Sequence, residues 1–121
     1  MKKILLVDDE PNIIMSLEYT FKKNNYEVFI ARDGEEALAI LKNETPDAIV
    51  LDIMMPKVDG YATITEIKKT EDLQNCKIIF LSAKNKESDI KKGMELGANA
   101  YLTKPFSIKK LVETVQNLLI S

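Results

Sequence analysis

The chain contains no histidine, so its chemistry rests on carboxylates, ammonium groups, hydroxyls and backbone. A nucleophile activated by a histidine base is excluded, as are histidine-ligated zinc and iron sites. The chain cannot be a histidine-phosphorylated donor either. Among the remaining groups, several stand directly after short apolar runs. Asp8, Asp9 and Glu10 follow the run 4–7, and Asp52 follows 48–51. Ser82 follows 78–81, while Thr103, Lys104 and Pro105 follow 100–102.

Taken singly, an aspartate or serine at such a place is an ordinary turn or cap residue. Converging, they imply more. Three carboxylates brought together repel and resist ionising unless a cation neutralises them. Oxygen ligation with open positions suits Mg²⁺ (or Mn²⁺), which binds through one or two carboxylates plus phosphate. Lys104 adds a compact positive charge suited to a phosphate oxygen. A flavin- or nucleotide-binding domain would need a phosphate loop where Asp8-Asp9-Glu10 would repel phosphate. Neither G-x-G-x-x-G nor G-x-x-x-x-G-K-[ST] occurs. A phosphatase with an aspartate nucleophile remains open at this point.

The elements that must position these groups alternate regularly. The apolar runs 4–7, 28–31, 48–51, 78–81 and 100–102 are mostly continuous, as in parallel strands buried on both faces. The segments between them read as helices. Ile14, Leu17 and Phe21 form one stripe, with Pro11 in its opening turn. Asp33 and Glu36 make a capping-box-like pair ahead of Ala37, Leu38 and Leu41. A third helix starts near Asp59-Gly60 and carries Ile64 and Ile67. A fourth carries Ile90 and Met94 and ends at Gly97. The last repeats Ile108, Leu111, Val112, Val115 and Leu118 or Leu119 behind the N-cap Ser107. Helical patterns after Asp33-Gly34 and Asp59-Gly60 mark them as helix starts rather than hairpins. Five strand–helix units predict an α/β fold, a parallel sheet with right-handed crossovers and helices on both faces. Ligands of such sheets bind at the carboxyl ends of the strands, the edge where the acids, Ser82 and Lys104 stand.

The 121 residues, 45% hydrophobic and 30% charged, fit one globular domain spanning 1–121. A net charge of −2 argues against direct nucleic-acid contact. The single cysteine, Cys76, can form no intramolecular disulfide and is expected as a half-buried or surface thiol without chemistry. The opening apolar run stops at Asp8, too short for a signal peptide, and no segment approaches the ~20 apolar residues of a membrane span. A cytoplasmic protein is expected, without a membrane partner.

At these spacings the chain resembles the receiver domain of bacterial response regulators in two-component signalling, the CheY-like fold. The resemblance covers essentially the whole chain. Its carriers are Val7-Asp8-Asp9-Glu10, Leu51-Asp52-Ile53-Met54-Met55-Pro56 with Asp59-Gly60, Leu81-Ser82-Ala83, Gly97-Ala98 and Tyr101-Leu102-Thr103-Lys104-Pro105-Phe106. It implies a flavodoxin-like (βα)5 fold with strand order 2-1-3-4-5. It implies that Asp52 is the phosphoacceptor, loaded from a sensor histidine kinase, a phosphotransfer protein or a small acyl phosphate. Asp9 and Asp52 would ligate the metal with the backbone carbonyl of Met54, and Asp8 largely through bound water. Lys104 would pair with Asp52 at rest and grip a phosphoryl oxygen afterwards. Ser82 and Tyr101 would form the switch.

Met54 and Lys84, two residues beyond Asp52 and Ser82, would modulate hydrolysis of the acyl phosphate. The Lys104-Pro105 bond would be cis. The chain would catalyse only its own phosphorylation and dephosphorylation. Its output would leave through the fourth helix, fifth strand and fifth helix, which carry Lys91, Lys92, Glu95, Lys109 and Lys110, toward a protein target or an attached output domain. The winged-helix class of response regulators usually has two acids before the switch aromatic. Here Asn99 and Ala100 stand there, which implies a monomer or weak dimer. A degenerate receiver that binds partners without phosphorylation would be expected to lack some of these acids or the lysine, and all are present.

Overall fold

In the computed structural model, which describes residues 1–120, each apolar run becomes a strand and each amphipathic segment a helix. The elements are β1 (Lys2–Val7), α1 (Pro11–Lys23), β2 (Tyr26–Ala31), α2 (Gly34–Leu41), β3 (Ala48–Asp52) and α3 (Gly60–Lys69). A 3₁₀ turn (Glu71–Leu73), β4 (Lys77–Ser82), α4 (Glu87–Glu95), β5 (Ala100–Thr103) and α5 (Ile108–Ile120) complete the chain. The strands pair in parallel in the order β2-β1-β3-β4-β5, as the resemblance implied.

Period-two alternation explains the continuous apolar runs. Leu5, Val7, Ile49, Leu51, Ile78 and Phe80 pack on one face with residues of α2 and α3. Ile4, Leu6, Val50, Ile79 and Leu81 pack on the other with Leu17 and Phe21 of α1 and Leu111 and Val115 of α5. All five residues of β3 are buried, so any polar group at its end leaves water with it.

The helix starts follow local chemistry. Asp33 and Asp59 accept hydrogen bonds from the backbone N–H of Glu36 and Ala62, each at 2.8 Å. Pro11 occupies the first turn of α1, and the Ser107 hydroxyl accepts from Lys110 N at 3.2 Å. Gly97 follows α4 with φ of 114°, the left-handed region that suits glycine.

Two expectations need correction. Met94 is 42% exposed and Ile90 only half-buried, so the predicted Ile90–Met94 stripe does not seat α4. The buried residue of α4 is Gly93. A Cβ there would stand 3.0 Å from the Phe80 ring and 3.1 Å from the Tyr101 ring, so the helix docks by backbone approach rather than by a side-chain ridge. Cys76 is fully buried rather than half-exposed. Its thiol donates to the Pro46 carbonyl at 2.8 Å, and burial pushes its pKa up to about 11, which leaves it inert.

Candidate functional site

The carboxyl ends of β1, β3, β4 and β5 meet at one edge of the sheet. Asp52 is the last residue of β3, and Asp8 and Asp9 follow β1. Ser82 ends β4, while Lys104 follows β5. Asp8 and Asp52 are 2% and 3% exposed, whereas Asp9 is open to solvent. One carboxylate oxygen from each of the three lies within 4.8 Å of the other two. Where α3 begins, the backbone presses on this corner. Gly60 N donates to Ile53 O at 2.9 Å, and a Cβ on Gly60 would meet Asp52 O at 2.6 Å.

The Lys104 ammonium stands among these acids. It lies 3.2 Å from Asp8 Oδ2, 3.2 Å from Glu10 Oε1 and 3.6 Å from Asp52 Oδ2. The lysine therefore hydrogen-bonds to Asp8 and Glu10 and only completes a looser ion pair with Asp52. Glu10 was visible in sequence as the third acid of a run, but nothing there linked it to Lys104. The Lys104-Pro105 peptide is cis.

Burial pushes the Asp52 carboxyl up to about 7, and the Asp8 charge adds to the effect. Lys104 and the Met54 amide oppose it. That amide lies 3.4 Å from Asp52 Oδ1. Burial also raises Asp8, against the pull of the Glu10 N–H and Lys104. Burial alone would lower Lys104, but the charges of Asp52 and Asp8 outweigh it and hold the ammonium above its usual value. One ammonium thus does not offset the cost of burying Asp8 and Asp52 together. An all-oxygen set in need of positive charge fits a hard divalent cation such as Mg²⁺.

Ser82 is fully buried, and its Oγ accepts from Lys84 N at 3.0 Å. Tyr101 is half-buried, and its hydroxyl donates to Lys84 O at 2.8 Å. Ser82 and Tyr101 are therefore brought together on one backbone unit, that of Lys84. Lys104 N donates to Ser82 O at 2.8 Å, which ties this unit to the acid site. The Met54 side chain is exposed. With Asp9, Ile53, Met55, Pro56, Asp59 and Lys84 it lines a cleft of about 390 Å³ beside Asp52. Tyr61, whose ring lies under the Lys84 ammonium, escaped sequence reading because an aromatic in a helix's first turn resembles ordinary packing.

Comparison with known proteins agrees with this geometry. The sequence profile described as "Response regulator receiver domain" matches residues 4–116. The alkaline phosphatase synthesis transcriptional regulatory protein PhoP of Bacillus subtilis is 43% identical over 98% of this chain and 48% of its own length. The chain thus spans about half the length of the curated relatives it matches. Among solved structures, the chemotaxis response regulator CheY4 of Vibrio cholerae superposes with a TM-score of 0.92 at 31% identity, over 98% of this chain and 99% of that one. The receiver domain of sensor histidine kinase PA1611 from Pseudomonas aeruginosa, with a magnesium ion coordinated in its active-site cleft, gives 0.90 at 32%, over 99% and 98%.

Proposed function

The chain belongs to the response regulator receiver domain family, and from that premise we propose that residues 1–121 form one receiver that takes a phosphoryl group onto Asp52. The observation that carries this is a carboxylate buried at the end of β3, with two acids within 4.8 Å and the Lys104 ammonium at 3.6 Å. Receivers are signalling switches rather than enzymes that turn over a separate substrate. In the proposed step an Asp52 oxygen attacks phosphorus in line, and a P–O bond forms as the P–N bond of the donor phosphohistidine breaks. The imidazole leaves with the electron pair. The donor is a sensor histidine kinase or phosphotransfer protein, and the protein works in the cytoplasm. No described helix is long and apolar enough to cross a membrane.

Asp9, Asp52 and the Met54 carbonyl would hold Mg²⁺, with Asp8 reaching it largely through water; the PA1611 receiver has a magnesium ion in its active-site cleft. When bound, the ion neutralises the crowded carboxylates and offsets phosphoryl charge. Lys104 gives up Glu10 and Asp8 to grip a phosphoryl oxygen. The Ser82 hydroxyl turns from Lys84 N to the phosphoryl group, and Tyr101 reports that turn to the surface. Met54 and Lys84 govern water access to the acyl phosphate.

The signal leaves through α4, β5 and α5, toward a protein target or an attached output domain. The Bacillus relative, a transcriptional regulatory protein, makes an attached domain the natural output. Asn99 supports a monomer or weak dimer. Its Oδ1 accepts from Ile78 N at 2.8 Å, so this side chain serves the β4–β5 junction rather than a partner subunit.

Incubating the protein with a small acyl phosphate and Mg²⁺ tests the proposal. One phosphoryl mass should appear and be lost with hydroxylamine. Equal labelling of Asp52→Asn would falsify the assignment.

A further inference from the structure

Tyr61, in the first turn of α3, offers its ring to two cations. Lys92 Nζ of α4 lies 4.3 Å from the ring centroid and Lys84 Nζ 5.6 Å from it, both within cation–π range. The ring meets Phe80 edge-on at 5.9 Å. Its hydroxyl oxygen is buried without a hydrogen-bond partner among the described residues. At rest this position is therefore used for its ring, not for its hydroxyl.

Lys84 is fixed at its backbone, while its ammonium sits over the Tyr61 ring with no salt bridge among the described residues. Its N–H donates to Ser82 Oγ and its carbonyl accepts from Tyr101. Lys84 also lines the cleft shared by Asp9, Met54 and Asp59. The ammonium thus has two destinations a short swing apart, a neutral ring and an acidic cleft. A phosphoryl group adds strong acceptor oxygens to the second. Charge-assisted hydrogen bonds to such oxygens exceed the attraction of a half-exposed ring.

We propose that Tyr61 is a positioning residue, which holds the Lys84 ammonium against its ring at the wall of the cleft and yields it when Asp52 carries the phosphoryl group. The inference rests on the reading of Asp52 as phosphoacceptor. The exchange makes and breaks only noncovalent contacts. Lys92 remains on the ring when Lys84 leaves, so the aromatic surface stays covered, and like-charge repulsion between the two lysines favours the departure.

The test uses the whole chain with Mg²⁺ and beryllofluoride as the phosphoryl mimic. In the free protein the Lys84 ε-methylene proton resonances should lie upfield through the Tyr61 ring current and move downfield on adding the mimic. Tyr61→Leu should tighten mimic binding by roughly two- to fivefold, the scale of one exposed cation–π contact, while Tyr61→Phe should bind like wild type. In a Lys84→Ala background Tyr61→Leu should change nothing. Lys84 resonances that stay in place on mimic binding, or the same tightening without Lys84, would overturn the role of Tyr61 alone. A wild-type protein that takes up no mimic would instead sink the phosphoacceptor reading beneath it.

Discussion

Lys104 Nζ lies 3.6 Å from Asp52 Oδ2, within ion-pair reach but beyond a good hydrogen bond. Its hydrogen bonds go to Asp8 and Glu10 instead. Under the proposed function, the ammonium would exchange these partners for a phosphoryl oxygen on Asp52. Lys104→Arg should still label on Asp52 but lose the downstream change. A planar fork does not replace a compact charge in this packed corner, and losing one charge-assisted hydrogen bond costs roughly 1.5–3 kcal/mol of bias. Amide chemical shifts around Tyr101, with and without beryllofluoride, measure this, and wild-type shifts in the variant would count against the assignment.

Asp52 makes the stability of the metal-free protein depend on pH. Its folded pKa, about 7, lies above the unfolded value near ~3.9. The folded state therefore binds more protons than the unfolded one between these limits, and stability falls as pH rises through that window. The loss is on the order of a few kcal/mol, complete above about pH 7 and absent below about pH 4. Asp52→Asn should flatten the profile, and Mg²⁺, by favouring the ionised form, should restore stability at high pH. Urea midpoints across pH 4 to 8 would decide, and a slope of opposite sign would refute the crowding argument.

Gly93→Ala should loosen the joint between α4 and the sheet. The added Cβ would press on both Phe80 and Tyr101. Overpacking of this kind costs about 1–3 kcal/mol. Tyr101→Ala in the same chain should recover part of the loss by opening room, a coupling that two independent sites would not show. Thermal melts of the four proteins in this cycle measure it.

Sedimentation with and without beryllofluoride should give a monomer or a weak dimer. Asn99 is engaged with Ile78, and Lys91 has its charge partner Glu95 within its own helix at 3.9 Å. A tight dimer seen only with the mimic and built on α4 and α5 would contradict this.

The strands were legible because β1, β3 and β4 are buried on both faces, so their runs are unbroken. Helix starts were legible where a cap declares itself, at Asp33, Asp59 and Ser107. The strand order was not in the periodicity and came from resemblance. The seating of α4 was hidden because a glycine carries it, and a missing side chain leaves no apolar signal. At the site, the acids and Lys104 were legible as strand-end residues. The pairing of Lys104 with Glu10 and the cations over Tyr61 depend on distances that only packing sets.

The contact between Lys104 and Asp8 joins positions 96 apart in the chain. On the ribosome Asp8 and Asp9 emerge before β5, the strand that brings Lys104. Until β5 docks on β4, the acid cluster has no ammonium and Ser82 O has no Lys104 N–H to accept. Under the proposed function, a chain in which β5 has not docked would carry an acceptor aspartate without the ammonium that reads its modification. Under the proposed function, the response to a phosphoryl group would thus report that β5 has docked as well as that Asp52 is modified.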